Sequence, residues 1–509
     1  MMLAEPEQGV SPSVKWSRTA LAIALVLGTF LRVAWIARPL DHRSSAEWRE
    51  ADYVQIARNF YREDGNILFP RIDWRGDTPG YVESELPLMP WLAAQIYRMA
   101  GYDLVYFRAL AVAASVASLL VFAGMARGAL PPDGAWFATA SFAISPWLVR
   151  MGNALQPEPL MILLSLLAVR ALWKWSEEPG FGRLLRACAW AAAAMLAKMS
   201  AGYVGFVFAH SLLRRLGLGA LRDVRVYLAA AVALAPPLVW GLWARHFWTA
   251  YGNSLGVSNE THLITWKALW PPAFLAGNLR IETLFVWSPL GLILGVIALQ
   301  RYRSRLEPLL AWYGAVWSFY LIAANTSGDR WAAYYHSASV APVSLIMGAG
   351  FSAGVRGLPL RRPTWLTPRL STRLLATATL LSLATVTAGL VARRDTRPDE
   401  AVKHACAVEF STHVPPHASI VVSGGGSRDG LGQPVAWNES TWFAWMDRRG
   451  FQYAFDDFSA VKIEGLRRRG GRYWIASAHE LERPDIVRLL DSNWKRVATC
   501  GDYTLHEMP

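Results

Sequence analysis

The sequence predicts a polytopic α-helical membrane protein with about 11 spans and a C-terminal soluble α/β domain. Hydrophobic residues make up 53% of the 509 residues, charged residues only 17%, and the mean hydropathy is positive. Apolar residues form repeated blocks of about 17 to 25 residues, the length that crosses a ~30 Å hydrocarbon core. After residue 393 these long blocks end, and short helix-like and strand-like segments alternate.

Eleven apolar blocks are interpreted as spans. They lie near 19–37, 104–126, 134–149, 157–173, 187–198, 201–213, 226–245, 283–300, 308–324, 334–355 and 374–392. The blocks 187–198 and 201–213 are short, and we interpret them as a hairpin of two spans. A single span there would move the later Arg-rich loops to the outside, against the positive-inside rule.

The basic residues indicate the orientation. The net charge is +13, and among the short connections between blocks the Lys and Arg residues concentrate in alternate ones, such as the connection with Arg214, Arg215, Arg222 and Arg225. This distribution predicts a cytoplasmic N-terminus and an extracytoplasmic C-terminal domain in the inner (plasma) membrane. The first apolar block runs for about 19 residues without a clear small-residue cleavage site at its end, and we interpret it as a retained first span. Nucleic acid is not an expected partner, because no basic stripe with interleaved aromatic residues occurs on a soluble segment.

The predicted domains are 1–394, a transmembrane domain with a long first external loop at 38–103, and 395–509, a soluble α/β domain. Within the loop, spacing predicts an amphipathic helix at 46–61, and 86–101 is interpreted as an interfacial helix. The soluble domain is predicted to have helices at 398–414 and near 440–449, 458–468 and 479–491, with strands at 418–423, 472–477, 494–499 and 502–506. Its cysteines, Cys406 and Cys500, could form a disulfide or remain two buried thiols.

Polar residues concentrate in three external segments. The first contains Glu50 and Asp52, the second is Gln156-Pro157-Glu158-Pro159, and the third runs from 325 to 336. Lys198, at the tip of the predicted hairpin, adds a cation. Each has an ordinary structural interpretation as well: a helix-start acid for Glu158, a snorkelling lysine, a solvated helix face for Asp52.

Taken together, these residues predict an outward-facing pocket with carboxylates on two elements and cations on two others. A carboxylate can take the proton of an acceptor hydroxyl that attacks an anomeric carbon, and Lys or Arg can stabilise a departing phosphate. Sugar transfer from a lipid phosphate fits this pocket. Glycoside hydrolysis also uses two carboxylates, but it gives no reason for so many spans.

Several motifs resemble one family. They are Trp48-Arg49-Glu50-Ala51-Asp52-Tyr53, Ile72-Asp73-Trp74-Arg75-Gly76, residues 79–88, Gln156-Pro157-Glu158-Pro159-Leu160, Leu196-Ala197-Lys198, and Tyr334-Tyr335-His336 with Pro342. In order and sidedness they are similar to the polyprenyl-phosphate-sugar-dependent glycosyltransferases of the C-type fold. The bacterial relatives of protein O-mannosyltransferases and of the lipid A aminoarabinose transferase are the branches that the chain resembles.

The resemblance implies a role for each residue. Asp52 would be the catalytic base, with Glu50 as second choice and Glu158 as a supporting acid. Lys198 would meet the carrier phosphate. The remaining predicted substrate-binding residues are Glu83, Glu85, Arg58, Tyr335, His336 and Arg330.

The sequence departs from the family at two positions. Many relatives have adjacent Asp-Glu where this chain has Arg49-Glu50, and the aminoarabinose branch has a lysine where this chain has Glu85, which argues against aminoarabinose transfer to lipid A. The resemblance implies no metal and no organic cofactor. A divalent ion held by Glu83 or Glu85 with His262 is the alternative.

The predicted function is therefore an inverting glycosyltransferase that moves a monosaccharide from a polyprenyl-phosphate carrier to an acceptor hydroxyl on the outer face of the membrane. The acceptor could be a glycan, a lipid or a protein. A transporter or lipid flippase is the alternative, and it predicts inverted repeats with Gly- or Pro-broken helices in matching halves. A non-catalytic scaffold for envelope assembly is a third class.

Overall fold

A computed structural model describes residues 12–41, 47–256, 271–324, 326–329, 332–356, 368–392, 398–428, 438–491 and 494–509. Within these ranges, six helices are long and apolar enough to cross a membrane: Trp16–Val33, Leu104–Ala129, Glu158–Glu177, Met199–Arg222, Val224–Tyr251 and Ser371–Leu390. A seventh candidate is the pair Pro272–Trp287 and Pro289–Tyr302, which bends by 84° at its break. The chain is thus a multi-pass helical membrane protein, and the count of eleven spans stays a prediction.

The α-helices of the described chain up to residue 392 range in length from 6 to 28 residues. They are Pro12–Val33, Glu47–Arg62, Leu88–Ala100, Leu104–Ala129, Pro132–Ala143, Pro146–Met151, Glu158–Glu177, Phe181–Ala197, Tyr203–Leu216, Val224–Tyr251, Pro272–Ile281, Pro289–Tyr302, Glu307–Ala323, Val340–Val355 and Pro368–Ala392. Both helices predicted in the first external loop are present, at Glu47–Arg62 and Leu88–Ala100.

The chain divides into two compact units. The first comprises Met1–Ile36, Arg108–Val239 and His262–Val391, and the second comprises Ala37–Phe107, Trp240–Thr261 and Ala392–Pro509. The second unit therefore joins the long loop to the C-terminal segment, a grouping that the sequence did not indicate. The predicted boundary at 394 and 395 stays a prediction.

Helices of the first unit pack through small residues. The helix Val340–Val355 approaches two neighbours closely at Gly348 and Gly350. A Cβ added at Gly348 would meet the carbonyl oxygen of Gly134 at 2.5 Å, and one added at Gly350 would overlap the carbonyl oxygen of Leu294. Because lipid tails are as apolar as side chains, close packing of backbones through small residues is a main source of helix association in membranes.

The outer faces of the same unit are apolar. Val26 and Phe30 on the first helix are exposed, and so are Leu234 and Leu238 on the helix Val224–Tyr251. Exposed apolar side chains along a spanning helix face the hydrocarbon core, so these surfaces agree with the membrane assignment.

The second unit contains a five-stranded mixed sheet. Its strands are β1 (Ile420–Ser423), β2 (Gly450–Tyr453), β3 (Tyr473–Ser477), β4 (Lys495–Cys500) and β5 (Tyr503–Glu507), in the order β2-β1-β3-β5-β4. β1 pairs in parallel with β2 and β3, whereas β5 is antiparallel to β3 and β4. The helices of this segment are Pro398–His413, Thr441–Met446, Ala460–Arg468, Ala478–Leu481 and Pro484–Asp491.

The predicted α/β character of the C-terminal segment is confirmed, and every predicted helix and strand has a counterpart. β2 was missed, because its four residues, Gly-Phe-Gln-Tyr, are too few for an alternating pattern to be recognised. Cys406 and Cys500 form a disulfide that ties the helix Pro398–His413 to β4. The sequence left this pairing open.

Candidate active site

Asp52 lies on the helix Glu47–Arg62 of the second unit and is completely buried. Its Oδ1 atom accepts hydrogen bonds from the Trp74 indole, at 3.1 Å, and from the Ser440 hydroxyl. Its Oδ2 atom accepts no hydrogen bond among the described residues, and the nearest cation, the Arg49 guanidinium, is 3.7 Å away. One oxygen of the carboxylate is thus fixed and the other is available to a ligand.

Burial raises the pKa of Asp52 from 3.8 to about 6, and the charge of Arg49 and the hydrogen bonds from Ser440 and Trp74 oppose that rise. Desolvation disfavours the ionised form of a carboxylate, so a buried acid with few partners keeps its proton to higher pH. A pKa near the operating pH is the property that suits a general base.

Ser440 is held in place from both sides. Gln55, on the same helix as Asp52, donates to the Ser440 carbonyl at 2.8 Å and accepts from the backbone N–H of Asp73 at 3.0 Å. Beside Ser440, Glu439 accepts from the backbone N–H of Thr441 and pairs with Lys403 at 2.7 Å. The C-terminal segment therefore contributes directly to the environment of Asp52.

The other predicted residues of the second unit differ in their surroundings. Glu50 and Glu83 are buried, and Glu83 accepts a hydrogen bond from the Ser254 hydroxyl. Glu85 accepts from the Tyr53 hydroxyl at 2.6 Å. Arg58 forms ion pairs with Asp73 at 2.6 Å and with Asp447 at 2.7 Å. These ion pairs favour a positioning role for Arg58 over direct contact with substrate.

A cavity of about 630 Å³ opens in the second unit beside Trp74. Aromatic rings, amides and guanidinium groups line it, among them Trp248, Tyr251, Asn438 and Arg469. Trp74 connects this cavity to the site, because the same indole that lines it donates to Asp52. Aromatic faces with amide side chains are a lining that can stack on sugar rings and hydrogen-bond their hydroxyls.

In the first unit, the structure brings four predicted residues together. Lys198 forms an ion pair with Glu158, and both side chains are buried. The Lys198 ammonium lies 4.8 Å from the centroid of the Tyr334 ring and 5.8 Å from that of Tyr335. The structure therefore places Glu158, Lys198 and the segment around Tyr335 next to one another, and their predicted roles stay predictions.

Several buried polar atoms around Glu158 have no hydrogen-bond partner among the described residues. They include Glu158 Oε2, both amide atoms of Gln156, Asn153 Nδ2 and Arg32 Nη2. Arg32, on the first span, lines a small cavity together with Glu158. Unsatisfied buried polar groups cost free energy, most of all at membrane depth, so such a cluster indicates a site that a ligand or water completes.

His336 has a different environment. It is fully buried, with Nδ1 2.6 Å from Glu282 Oε1 and Nε2 3.0 Å from the Ser327 carbonyl oxygen. Glu282 also accepts from Ser339 at 2.6 Å, and it begins a π-helical turn, Glu282–Trp287, next to the 84° break. Both ring nitrogens of His336 are thus engaged, which favours a role in holding the broken helix to the segment that carries Tyr334 and Tyr335.

Two predicted residues cannot be placed. Arg330 and His262 lie outside the described residues.

Sequence reasoning missed Ser440, Arg32 and Glu282. Arg32 and Glu282 carried a signal, because a charged residue inside or at the edge of an apolar block is a functional candidate by default. Ser440 carried none, since its contact with Asp52 joins residues 388 positions apart.

Comparison with known proteins supports the fold. A sequence profile described as "Dolichyl-phosphate-mannose-protein mannosyltransferase" matches residues 79–243, about a third of the chain. The structure is similar to that of ArnT from Cupriavidus metallidurans in the apo state, with a TM-score of 0.63 and 15% sequence identity over 98% of both chains. The structure of the same ArnT bound to undecaprenyl phosphate gives a TM-score of 0.62 at 15% identity, over 97% of this chain and 98% of that one.

More distant structures share the fold. The Archaeoglobus fulgidus oligosaccharyltransferase, tethered with an acceptor peptide, gives a TM-score of 0.55 at 12% identity over 96% of this chain and 74% of that one. The arabinofuranosyltransferase AftD from Mycobacteria gives 0.51 at 12% identity over 98% of this chain and 40% of that one. No curated protein matches by sequence. The chain has the C-type glycosyltransferase fold that its motifs indicated.

The raised pKa of Asp52 predicts how stability depends on pH. Between pH 4 and about 6 the folded protein keeps a proton on Asp52 that the unfolded chain releases, so this carboxyl costs stability as the pH rises. Asp52→Asn keeps the acceptor for Ser440 and Trp74 but removes the charge. We expect the variant to unfold at the same temperature as the wild type near pH 4, and to be more stable by about 2 to 3 kcal/mol above pH 7.

Thermal unfolding of both purified proteins across this pH range measures the difference. Asp447→Asn is the control. Hydrogen bonding to Arg62 and the charge of Arg58 outweigh burial and lower the pKa of Asp447, so this substitution should decrease the stability at neutral pH. An Asp52→Asn variant that is less stable than the wild type at neutral pH would contradict the assignment of Asp52 as a destabilising buried charge.

Proposed function

We propose that this chain is an inverting glycosyltransferase that moves a monosaccharide from a polyprenyl-phosphate carrier to an acceptor hydroxyl. The observation that carries the proposal is the buried Asp52 carboxylate. One of its oxygens is fixed by hydrogen bonds, the other accepts none from the described residues, and its pKa is raised to about 6. In a chain with the C-type glycosyltransferase fold, a general base is the role that such a group can fill.

The reaction follows from the chemistry of the groups. Asp52 accepts the proton as the acceptor oxygen attacks the anomeric carbon from the face opposite the phosphate. The bond between the anomeric carbon and the phosphate oxygen breaks, and the carrier leaves as a polyprenyl phosphate with one more negative charge. Lys198 compensates that charge, which grows in the transition state, and Glu158 holds the ammonium until the donor binds.

The molecules bound in similar structures support the substrate classes. ArnT was solved bound to undecaprenyl phosphate, and the archaeal oligosaccharyltransferase was solved with an acceptor peptide. A lipid-phosphate donor is the common element that we carry to this chain. The aromatic and amide lining of the cavity beside Trp74 favours a saccharide portion in the acceptor.

The location that we propose is the outer face of the plasma membrane, with a cytoplasmic N-terminus. The Lys and Arg residues of the short connections support this orientation. The Cys406–Cys500 disulfide supports it independently, because disulfides persist in oxidising compartments and are rare in the cytosol. The similar folds are those of transferases, which favours a transferase over the transporter alternative.

Asp52→Asn is expected to abolish sugar transfer, by at least about 100-fold, because an amide cannot accept the proton. The variant should remain folded and monodisperse. The measurement is transfer from a panel of radiolabelled polyprenyl-phosphate sugars to native membrane acceptors, with the wild-type protein defining the donor. Transfer by the variant at the wild-type rate would remove Asp52 from the mechanism.

Glu50→Gln is the matched comparison, because Glu50 is a second buried carboxylate on the same helix. We expect it to retain transfer. Loss of activity in Glu50→Gln with a fully active Asp52→Asn would make Glu50 the base.

Lys198→Gln tests the phosphate contact. Removing a cation that faces developing charge typically costs about 10² to 10³ in rate, so we expect kcat/KM for the donor to fall by that factor. Lys198→Arg should restore part of the activity, since a guanidinium also binds phosphate. Lys495→Gln, on exposed β4, is the control and should behave as the wild type. A wild-type kcat/KM in Lys198→Gln would exclude Lys198 from the donor site.

A further inference from the structure

The first unit contains a second cavity, of about 430 Å³, which we call the basic cavity. Its lining includes Arg170 and Lys174 on the helix Glu158–Glu177, and His210, Arg214 and Arg215 on the helix Tyr203–Leu216. We propose that the basic cavity binds the phosphate headgroup of an anionic phospholipid. This site is separate from the residues assigned to sugar transfer.

The charges of the basic cavity are only partly balanced. Glu307 contacts His210 at 2.6 Å and Arg214 at 2.7 Å, which compensates one cation. Arg170, Lys174 and Arg215 form no ion pair with any residue that the structure describes, and Glu177 is the one carboxylate that lines the described part of the cavity. A bound phosphodiester would supply the missing negative charge.

The interaction of cations with helix dipoles accounts for some of these basic residues, but it does not account for Arg170. A cation in the last turn of a helix offsets the partial negative charge of the terminal carbonyl groups. Lys174 and Arg214 satisfy that rule. Arg170 does not, because it lies seven residues before the helix ends at Glu177, where a charge is costly unless it is paired.

Two glycines that line the cavity leave room for a ligand. Gly124 and Gly128 lie one turn apart on the helix Leu104–Ala129, and a Cβ added at either would meet no atom within 4 Å. Trp173, half-buried, also lines the cavity, and tryptophan is enriched at the headgroup level of membranes. The cavity therefore combines open space, cations and an interfacial aromatic ring.

The location determines which molecule can occupy the basic cavity. Arg170, Lys174, Arg214 and Arg215 lie toward the ends of helices whose connections we predict to be cytoplasmic, so the cavity would face the inner leaflet. Basic pockets between helices on that side bind the headgroups of anionic lipids. A lipid arrives there already concentrated by the membrane, whereas a soluble phosphate compound does not.

Native mass spectrometry of the delipidated full-length protein tests this proposal, with phosphatidylglycerol and phosphatidylcholine as probes. We expect the wild type to retain phosphatidylglycerol selectively. The double variant Arg170→Gln/Lys174→Gln should bind it about fivefold more weakly for each charge removed. The charge-matched control is Arg127→Gln/Arg222→Gln, two exposed positions on the same predicted side that do not line the cavity.

A second variant separates volume from charge. Gly128→Leu should fill the cavity and displace phosphatidylglycerol with every cation still present, and the open space at this position should let the protein fold. Sugar transfer should persist in all of these variants.

Three results would overturn the proposal. The first is equal retention of phosphatidylcholine by the wild type. The second is an equal loss of phosphatidylglycerol in the control pair. The third is competition by soluble glycerol phosphate at the concentration of the lipid, which would show that the membrane anchor contributes nothing.

Discussion

A carboxylate removed from water must find hydrogen bonds or a counter-charge, or it keeps its proton. This constraint shapes the two sites that the chain builds. Asp52 accepts two hydrogen bonds on one oxygen, and the Arg49 guanidinium lies 3.7 Å from the other. Glu158 pairs with Lys198 through one oxygen, and its second oxygen stays unbonded among the described residues. In each carboxylate, the contacts of one oxygen offset part of the cost of burial, and the other oxygen keeps its capacity to accept a hydrogen bond from a ligand.

Glu282 shows the opposite solution to the same problem. It accepts from Ser339 and Tyr313 and contacts His336, so little of its hydrogen-bonding capacity remains. It stands at the start of the π-turn Glu282–Trp287, which precedes the 84° break. Irregular backbone at membrane depth leaves polar groups without helical partners, and neighbouring side chains must replace them. Glu282 and His336 thus join the broken helix to the segment that carries Tyr334 and Tyr335, whereas Glu158 and Asp52 are the carboxylates that we propose for the reaction.

The sequence predicted much of this arrangement, because local patterns report local structure. The sequence patterns made three features recognisable: the proline-flanked Glu158, Lys198 at a helix end, and the run Tyr334-Tyr335-His336. In the structure, Lys198 contacts both Glu158 and this run. The α/β character of the C-terminal segment followed from alternating short elements. The involvement of Ser440 could not be predicted, since only tertiary folding brings it to Asp52. The contact of His336 with Glu282 could not be predicted for the same reason, because Glu282 lies 54 residues earlier.

The central claim is that Asp52 acts as the base of a sugar transfer, and Ser440 offers the most direct measurement of it. The Ser440 hydroxyl lowers the pKa of Asp52, so Ser440→Ala should raise that pKa. The rate of sugar transfer should fall as the pH drops through about 6 in the wild type, and in Ser440→Ala this limb of the pH–rate profile should move to higher pH. A variant whose rate changes while the limb stays where it was would contradict the account.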